Sequence, residues 1–510
     1  MYKKNIIEYF EEMRCTNGNK VAVEDGERKI TFDELSLWAK CLAVQLRSKM
    51  GNLINKPIGI FIEKSIESVA SDLGVVYSGN AYMNLDVKMP LTRIHNILEL
   101  IKPTFIVTTP KFSQKITEIW PAERTVILED NAVELTDEEN SSLFTNLERI
   151  IDFDPLCIIN TSGSTGTPKG VVLNHRSFID YTQWAISTIG IRNDDVLGSI
   201  APIVFDHSSY EFCLMLMQGC KLIFTPENYA MFPIKLLTLL AEKNVTYIFW
   251  VPTLMVNIAN MDLLTKVQLP KLRMIWFAGE VFPTKQFNYW KHHLPNATFV
   301  NLYGPTEITV DCTYYVVKRE LRDDEPVPIG YPCRNTDILI LNERNETVGK
   351  NEDGELCVRG SSLAMGYYNN PEKTASVFVQ NPLNNSYPER IYRTGDIVYI
   401  NELGEIVYKG RNDTLIKHMG KRVELGEIEH VVVNTLCATK NGCAVYDRSK
   451  KEIVFFYEAD SEIPAADLRR KISTALPNYM VPTRYIFLPE MPRNTNGKID
   501  RAKLNKEINS

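Results

Sequence analysis

The ten cysteines of this 510-residue chain never form a C-x-x-C pair, and the seven histidines never form H-x-x-x-H. The scattered spacing excludes a disulfide framework and leaves no zinc motif. The N-terminus, "MYKKNIIEYFEEMRC", lacks the apolar core of a signal peptide. No apolar run reaches the length that spans a bilayer; stretches such as "YIFWVPTLMV" are short and carry Pro. There is no internal repeat and no low-complexity tract. Basic charge is not in excess either: the formal net charge is -6, so bulk electrostatics give no reason to expect nucleic-acid binding. A cytoplasmic, enzyme-sized protein without membrane insertion is the base expectation. With 44% hydrophobic and 24% charged residues, its composition is that of a globular chain with ample core.

What is present is alternation. "KPIGIFI", "KPTFIVTT", "PLCIINTS", "VTYIFWVP", "LRMIWFAG" and "ATFVNLYG" read as apolar strands, and amphipathic stretches such as "SIESVASDLGVVYSGN" read as helices. This pattern predicts an α/β fold with parallel strands, whose ligands gather at strand carboxyl ends. Three such ends carry suggestive residues: Thr161 onward, Gly279 with Glu280, and Tyr303 to Glu307. Near residue 395 the pattern changes to a hairpin, "YRTGDIVYINELGEIVYKGRND", and the last hundred residues or so alternate in βαβ fashion. The expected boundary lies near Arg411 to Asp413. It separates a large multi-layer α/β domain, residues 1–410, from a small mobile α+β domain, residues 411–510.

"NTSGSTGTPKGV", following a strand, concentrates hydroxyls from Thr161, Ser162, Ser164, Thr165 and Thr167, with Gly163 and Gly166 to turn the backbone and Lys169 to add charge. A polar surface turn is the bland alternative; phosphate binding is the sharper one. It is not a Walker A loop: Pro168 stands where that motif needs its second Gly, and "VVLNH" reads as a strand rather than a helix.

"TSGSTGTPKGV", "NLYGPTEITV", "YRTGD", "GRNDTLIKHMGKRVELGEIE" and "NGKIDR" occur in this order. From about Ile30 to Leu504 the chain resembles the adenylate-forming (ANL) superfamily, specifically free-standing D-alanine–carrier protein ligases and the adenylation domains of nonribosomal peptide synthetases. The resemblance implies that a carboxylate attacks the α-phosphate of ATP, pyrophosphate leaves, and the acyl group passes to a thiol. The carboxylate is already ionised at neutral pH. Catalysis should therefore rest on cations and donors that hold two anions in line.

The resemblance assigns the loop Thr161 to Lys169 to the β/γ phosphates. Glu307 would hold Mg²⁺, Thr306 would contact the α-phosphate, and Tyr303, beside Gly304, would stack on adenine. Gly279 and Glu280 would line the adenine pocket, Asp396 and Arg411 would take the ribose, and Lys498 would bridge the carboxylate and the α-phosphate. Asp413 would be the hinge about which the small domain turns between the two steps. Leu415 and Met419 depart from the Gln and Arg of similar sequences. Read alone, Lys498 would be a solvated surface lysine, Glu307 a helix cap and Asp396 a turn residue.

The resemblance also places α-amino recognition at Asp206 in "FDHSSYEF". A buried ammonium needs an opposite charge; the alternative is a helix N-cap. Local alignment gives further pocket positions at His207, Tyr210, Phe249, Trp276, Ala278, Leu302, Val310 and Asp311. The bulk of Phe249, Trp276 and Tyr210 favours a small amino acid of the Ala, Ser or Gly type. Asp311 and His207 keep hydroxyl-bearing acids open. D-alanine ligases carry Cys where this chain has Ala278. With no appended carrier domain after Ser510, the expected acceptor is a separate phosphopantetheinylated carrier protein acting in trans, and a monomer is expected. An acyl-CoA ligase, or an inactive paralogue serving as sensor or scaffold, is the alternative.

Overall fold

The computed structural model describes residues 3–129, 133–162, 168–411, 415–493 and 499–509. It is a mixed α/β protein with a large N-terminal and a smaller C-terminal domain. Two compact units emerge. The first comprises residues 1–87, 101–159 and 171–410; the second comprises 88–100, 160–170 and 411–510.

Two large sheets build the first unit. In the nine-stranded sheet, Thr298–Tyr303, Met274–Phe277, Tyr247–Trp250, Val196–Ser199, Lys221–Phe224 and Val21–Asp25 run parallel as successive neighbours, and antiparallel strands close both edges. The central strands are buried throughout, which is why they read as continuous apolar runs. The seven-stranded sheet is ordered Gly366–Tyr367, Lys169–Asn174, Pro155–Thr161, Ala81–Asn84, Pro57–Phe61, Phe105–Thr108, Thr125–Ile127. A third, antiparallel sheet contains the expected hairpin, Arg390–Ile400 with Ile406–Arg411. Gly404, at φ +78, supplies the left-handed turn between them.

One apolar core joins both large sheets to the helices Ile6–Asn17, Phe32–Met50, Ile66–Tyr77, His175–Trp184 and Asp206–Gln218. The helix starts are written locally. Thr31 and Glu34 form a capping box, and Asn174 accepts from the Ser177 N–H. The helix Ile66–Tyr77 is buried on nearly all sides, so its polar groups need internal partners; Asn84 Nδ2 donates to Asp72 Oδ1 at 3.0 Å. In the second unit Glu452–Glu458, the helix Ala465–Ile472 and Arg484–Phe487 form a parallel βαβ unit, with Asn441–Asp447 antiparallel alongside.

All ten cysteines are free thiols. Cys15 and Cys437 are exposed, Cys41 is half-buried and the other seven are buried. Among the described residues no helix is long and apolar enough to cross a membrane.

One buried histidine ties the first helix to the core. His175 Nδ1 accepts the backbone N–H of Ile6 at 3.3 Å, which requires an unprotonated nitrogen there. Burial depresses its pKa to about 3. The unfolded chain would take up that proton near pH 6.5. The stability contributed is thus complete above about pH 6.5 and is lost as the pH falls towards 3, with a limit of roughly 4–5 kcal/mol. Urea midpoints measured from pH 8 to pH 4 should fall more steeply for the wild type than for His175→Gln; parallel profiles would remove His175 as the cause.

Candidate active site

The helix Asp206–Gln218 follows Phe205 and ends at Gly219, whose φ of +76 allows the left-handed stop. Asp206 is its first residue. Its Oδ1 accepts the neighbouring His207 N–H at 2.9 Å, and Phe205, at the cap position, makes no side-chain cap bond. Burial pushes the Asp206 carboxyl up, partly countered by hydrogen bonding from the Thr306 side chain and the His207 N–H. Electrostatic attraction to His207 also lowers it, and the nearby Glu307 carboxylate raises it.

Aromatic rings crowd the space beside it. Tyr210 stacks on Trp276 at 5.7 Å and 7°, and Phe249 meets Trp276 edge-on at 5.6 Å. The His207 ring lies only 3.9 Å from that of Phe249. Phe249 and Trp276 are register partners on adjacent parallel strands, so one sheet face delivers both. Leu302, Val310 and Asp311 are buried and Ala278 is half-buried. Tyr181 donates to Asp311 Oδ2 at 2.8 Å. The indole N–H of Trp276 is fully buried and has no acceptor among the described residues.

Glu307 sits in the short 3-10 turn Thr306–Ile308, fully buried, and accepts the Tyr367 hydroxyl at 2.7 Å. Thr309 and Val310 follow with φ of +57 and +66. A β-branched residue in the left-handed region costs about 1–3 kcal/mol and persists only where the surroundings fix it. Here Thr309 Oγ1 donates to the Ser362 carbonyl at 2.9 Å, and the Asp311 N–H returns to the Thr309 carbonyl at 2.9 Å. Gly304 lies against this turn. A Cβ on it would come within 2.4 Å of Asp311 Cα and the Val310 carbonyl, so only glycine fits.

Tyr303 donates its hydroxyl in a short bond to Asp396 Oδ2. Burial and the adjacent Asp396 push that phenol well up. Asp396 is itself buried, with its N–H on Thr394 Oγ1 at 3.0 Å. Gly279 turns the chain at φ +90, and Glu280 accepts both the N–H (2.9 Å) and the hydroxyl (2.5 Å) of Thr253, bracing the helix Pro252–Asn260.

In the second unit, Ser162 Oγ donates to the Arg422 carbonyl at 3.0 Å. Among the described residues, Thr161 Oγ1 and both side-chain polar atoms of Asn160 find no hydrogen-bond partner. Lys169 is buried at the start of its strand, and Arg411 ends Ile406–Arg411. Gly163, Ser164, Thr165, Gly166, Thr167, Asp413 and Lys498 lie outside the described residues. Among the described residues no three His, Cys, Asp or Glu side chains gather into a metal cluster.

The sequence did not single out Glu211, Ser199, Lys64, Tyr181 or Tyr367, which hold the candidate residues in place. Glu211 had a signal, being four residues after His207 on one helix; the others lie far off in sequence and had none.

This chain belongs to the AMP-binding enzyme family, whose pattern matches residues 10–368. It is 31% identical to zwittermicin A synthase ZmaJ of Bacillus cereus, across 98% of this chain and 94% of ZmaJ. Other curated relatives are much longer: the chain spans 45% of one and 19% of another. The fold is shared with holo-PA1221, described as a nonribosomal peptide synthetase protein containing adenylation and PCP domains (TM-score 0.81, 22% identity, 99% of this chain and 84% of that one). It is shared equally with the Vibrio cholerae adenylation domain AlmE in complex with glycyl-adenosine-5'-phosphate (TM-score 0.84, 20% identity, 99% and 98%). The family match makes the chain an adenylate-forming enzyme.

Proposed function

We propose that the chain adenylates a small amino acid with ATP and passes it to the phosphopantetheine thiol of a carrier protein acting in trans. The observation that carries this reading is a buried carboxylate, Asp206, beside a side-chain space filled by Tyr210, Trp276, Phe249 and His207. A carboxylate there complements an ammonium, which fatty and aryl acids lack. The bulk of these rings favours a small side chain. Asp311 and His207 offer polar contacts to a hydroxyl. A neighbour in fold carries a glycyl adenylate and another carries a PCP domain, which agrees with both halves of the proposal.

In this reading residues 1–410 bind ATP and the amino acid, while 411–510 bring Lys498 and turn about Asp413. The loop Thr161 to Lys169 grips the departing pyrophosphate, and Asp396 and Arg411 take the ribose. Tyr303, tied to Asp396, presents its ring to adenine. Thr306 bonds the α-phosphate. The donor set fits Mg²⁺: Glu307 is a hard oxygen donor steadied by Tyr367, and a hard cation takes its remaining ligands from phosphate and water. When bound, the ion neutralises triphosphate charge. Exclusion of water by the buried aromatic wall protects the adenylate from hydrolysis.

ATP–pyrophosphate exchange over a panel of L- and D-amino acids tests this. Glycine, alanine or serine should exchange at least about tenfold faster than leucine or phenylalanine, given what hydrophobic pockets discriminate. Exchange with fatty or aryl acids alone would sink the amino-acid reading.

A further inference from the structure

His207 does not rest against Phe249 unaided. Its Nε2 lies 3.2 Å from Glu211 Oε1, one helical turn along, an ion-pair distance. Glu211 is almost fully buried, and it accepts the Ser199 hydroxyl in a short bond. Lys64 in turn donates to Ser199 Oγ and to the Ala201 carbonyl, both at 2.7 Å, with its ammonium 4.9 Å above the Phe224 ring. Burial pushes the Glu211 carboxyl up, but His207, Lys64 and Ser199 outweigh it and hold it below the usual range. A charged row thus runs from the loop after Pro57–Phe61, past the end of Val196–Ser199, to the first turn of the Asp206 helix.

A buried carboxylate is expensive unless it is fully paired, so such a row fixes its members. The fixed member at the pocket end is the imidazole. Its ring is 3.9 Å from Phe249, on the residue that follows Asp206.

We propose that the buried row Lys64–Ser199–Glu211 locks His207 against Phe249 and so sets the upper size of the accepted side chain. Glu211 is then a positioning residue for substrate size, acting through His207. This rests on the reading that the pocket binds an amino acid.

The test compares exchange rates for glycine, alanine, serine, valine, leucine and methionine in the wild type, His207→Ala, Glu211→Ala, Glu211→Gln and Lys64→Met. His207→Ala removes the ring, while Glu211→Ala frees it. Both should raise the leucine-to-alanine ratio of kcat/KM by about tenfold or more, the usual worth of one or two methylenes. The alanine loss should appear mainly in KM. Glu211→Gln keeps an oxygen facing His207 and Ser199 and should hold the ratio within a few-fold of wild type. Lys64→Met should shift it part of the way, and provides a second variant if Glu211→Ala fails to fold. A helix staple with no role in selection would instead lower the thermal midpoint and depress kcat/KM for every acid alike; an unchanged ratio in His207→Ala and Lys64→Met overturns the proposal. A wild type that exchanges no amino acid at all removes the underlying reading, and the inference with it.

Discussion

Asp206→Asn is expected to lower kcat/KM for amino-acid-dependent exchange by about 10²–10³-fold, chiefly through KM for the amino acid. Burial pushes the carboxyl up, and the Thr306 side chain, the His207 N–H and electrostatic attraction to His207 offset this only in part. An arriving ammonium adds a full countercharge to this under-compensated carboxylate. Removing one partner of such a pair costs about 2–5 kcal/mol, and each 1.4 kcal/mol is tenfold. Asparagine keeps the size and loses only the charge. The raised pKa adds a sign: as the pH falls, a proton competes with the ammonium for the carboxylate, so the wild-type KM for the amino acid should rise on acidification. The Asn variant should lose that dependence while its KM for ATP stays put. Undiminished exchange in Asp206→Asn would assign the ammonium to another group.

Lys498→Ala should separate the two half-reactions. Lys498 lies outside the described residues, so this expectation rests on the motif "NGKIDR" and on electrostatics. Adenylation brings a carboxylate to a phosphate, and one well-placed cation offsets their repulsion. Losing a single preorganised donor of this kind costs about 10²–10³ in rate. Transfer of a preformed aminoacyl adenylate to a carrier thiol starts after that repulsion is spent and should change only a few-fold. Equal loss of both steps would refute the assignment.

The fold class was legible because the evidence for it is local. Buried parallel strands show as apolar runs, and every run named from the sequence is a strand, including Lys169–Asn174, which set this loop apart from a P-loop. The split into two large sheets was not legible. Strand order depends on pairings across more than a hundred residues, as when Val21–Asp25 joins Lys221–Phe224. The same distinction holds in the candidate site. Asp206 and the bulky residues near it could be read from motif and size, but how their rings meet could not. Tyr303 and Asp396 were assigned to different parts of ATP, yet their side chains bond each other across 93 positions. The left-handed pair Thr309 and Val310 contradicts local propensity, and only tertiary contacts hold it.

The thiols of the chain bear on how transfer to a carrier can be measured. Burial pushes the Cys357 and Cys443 thiols up to about 12, and those of Cys157, Cys213, Cys220 and Cys333 well up too. Alkylating reagents attack the thiolate, so these positions are nearly silent at neutral pH. Only Cys15 and Cys437 are exposed. With these two and the half-buried Cys41 changed to serine, loss of maleimide labelling would report on acylation of a phosphopantetheine arm. The enzyme would then be a nearly blank background against which one carrier thiol is counted.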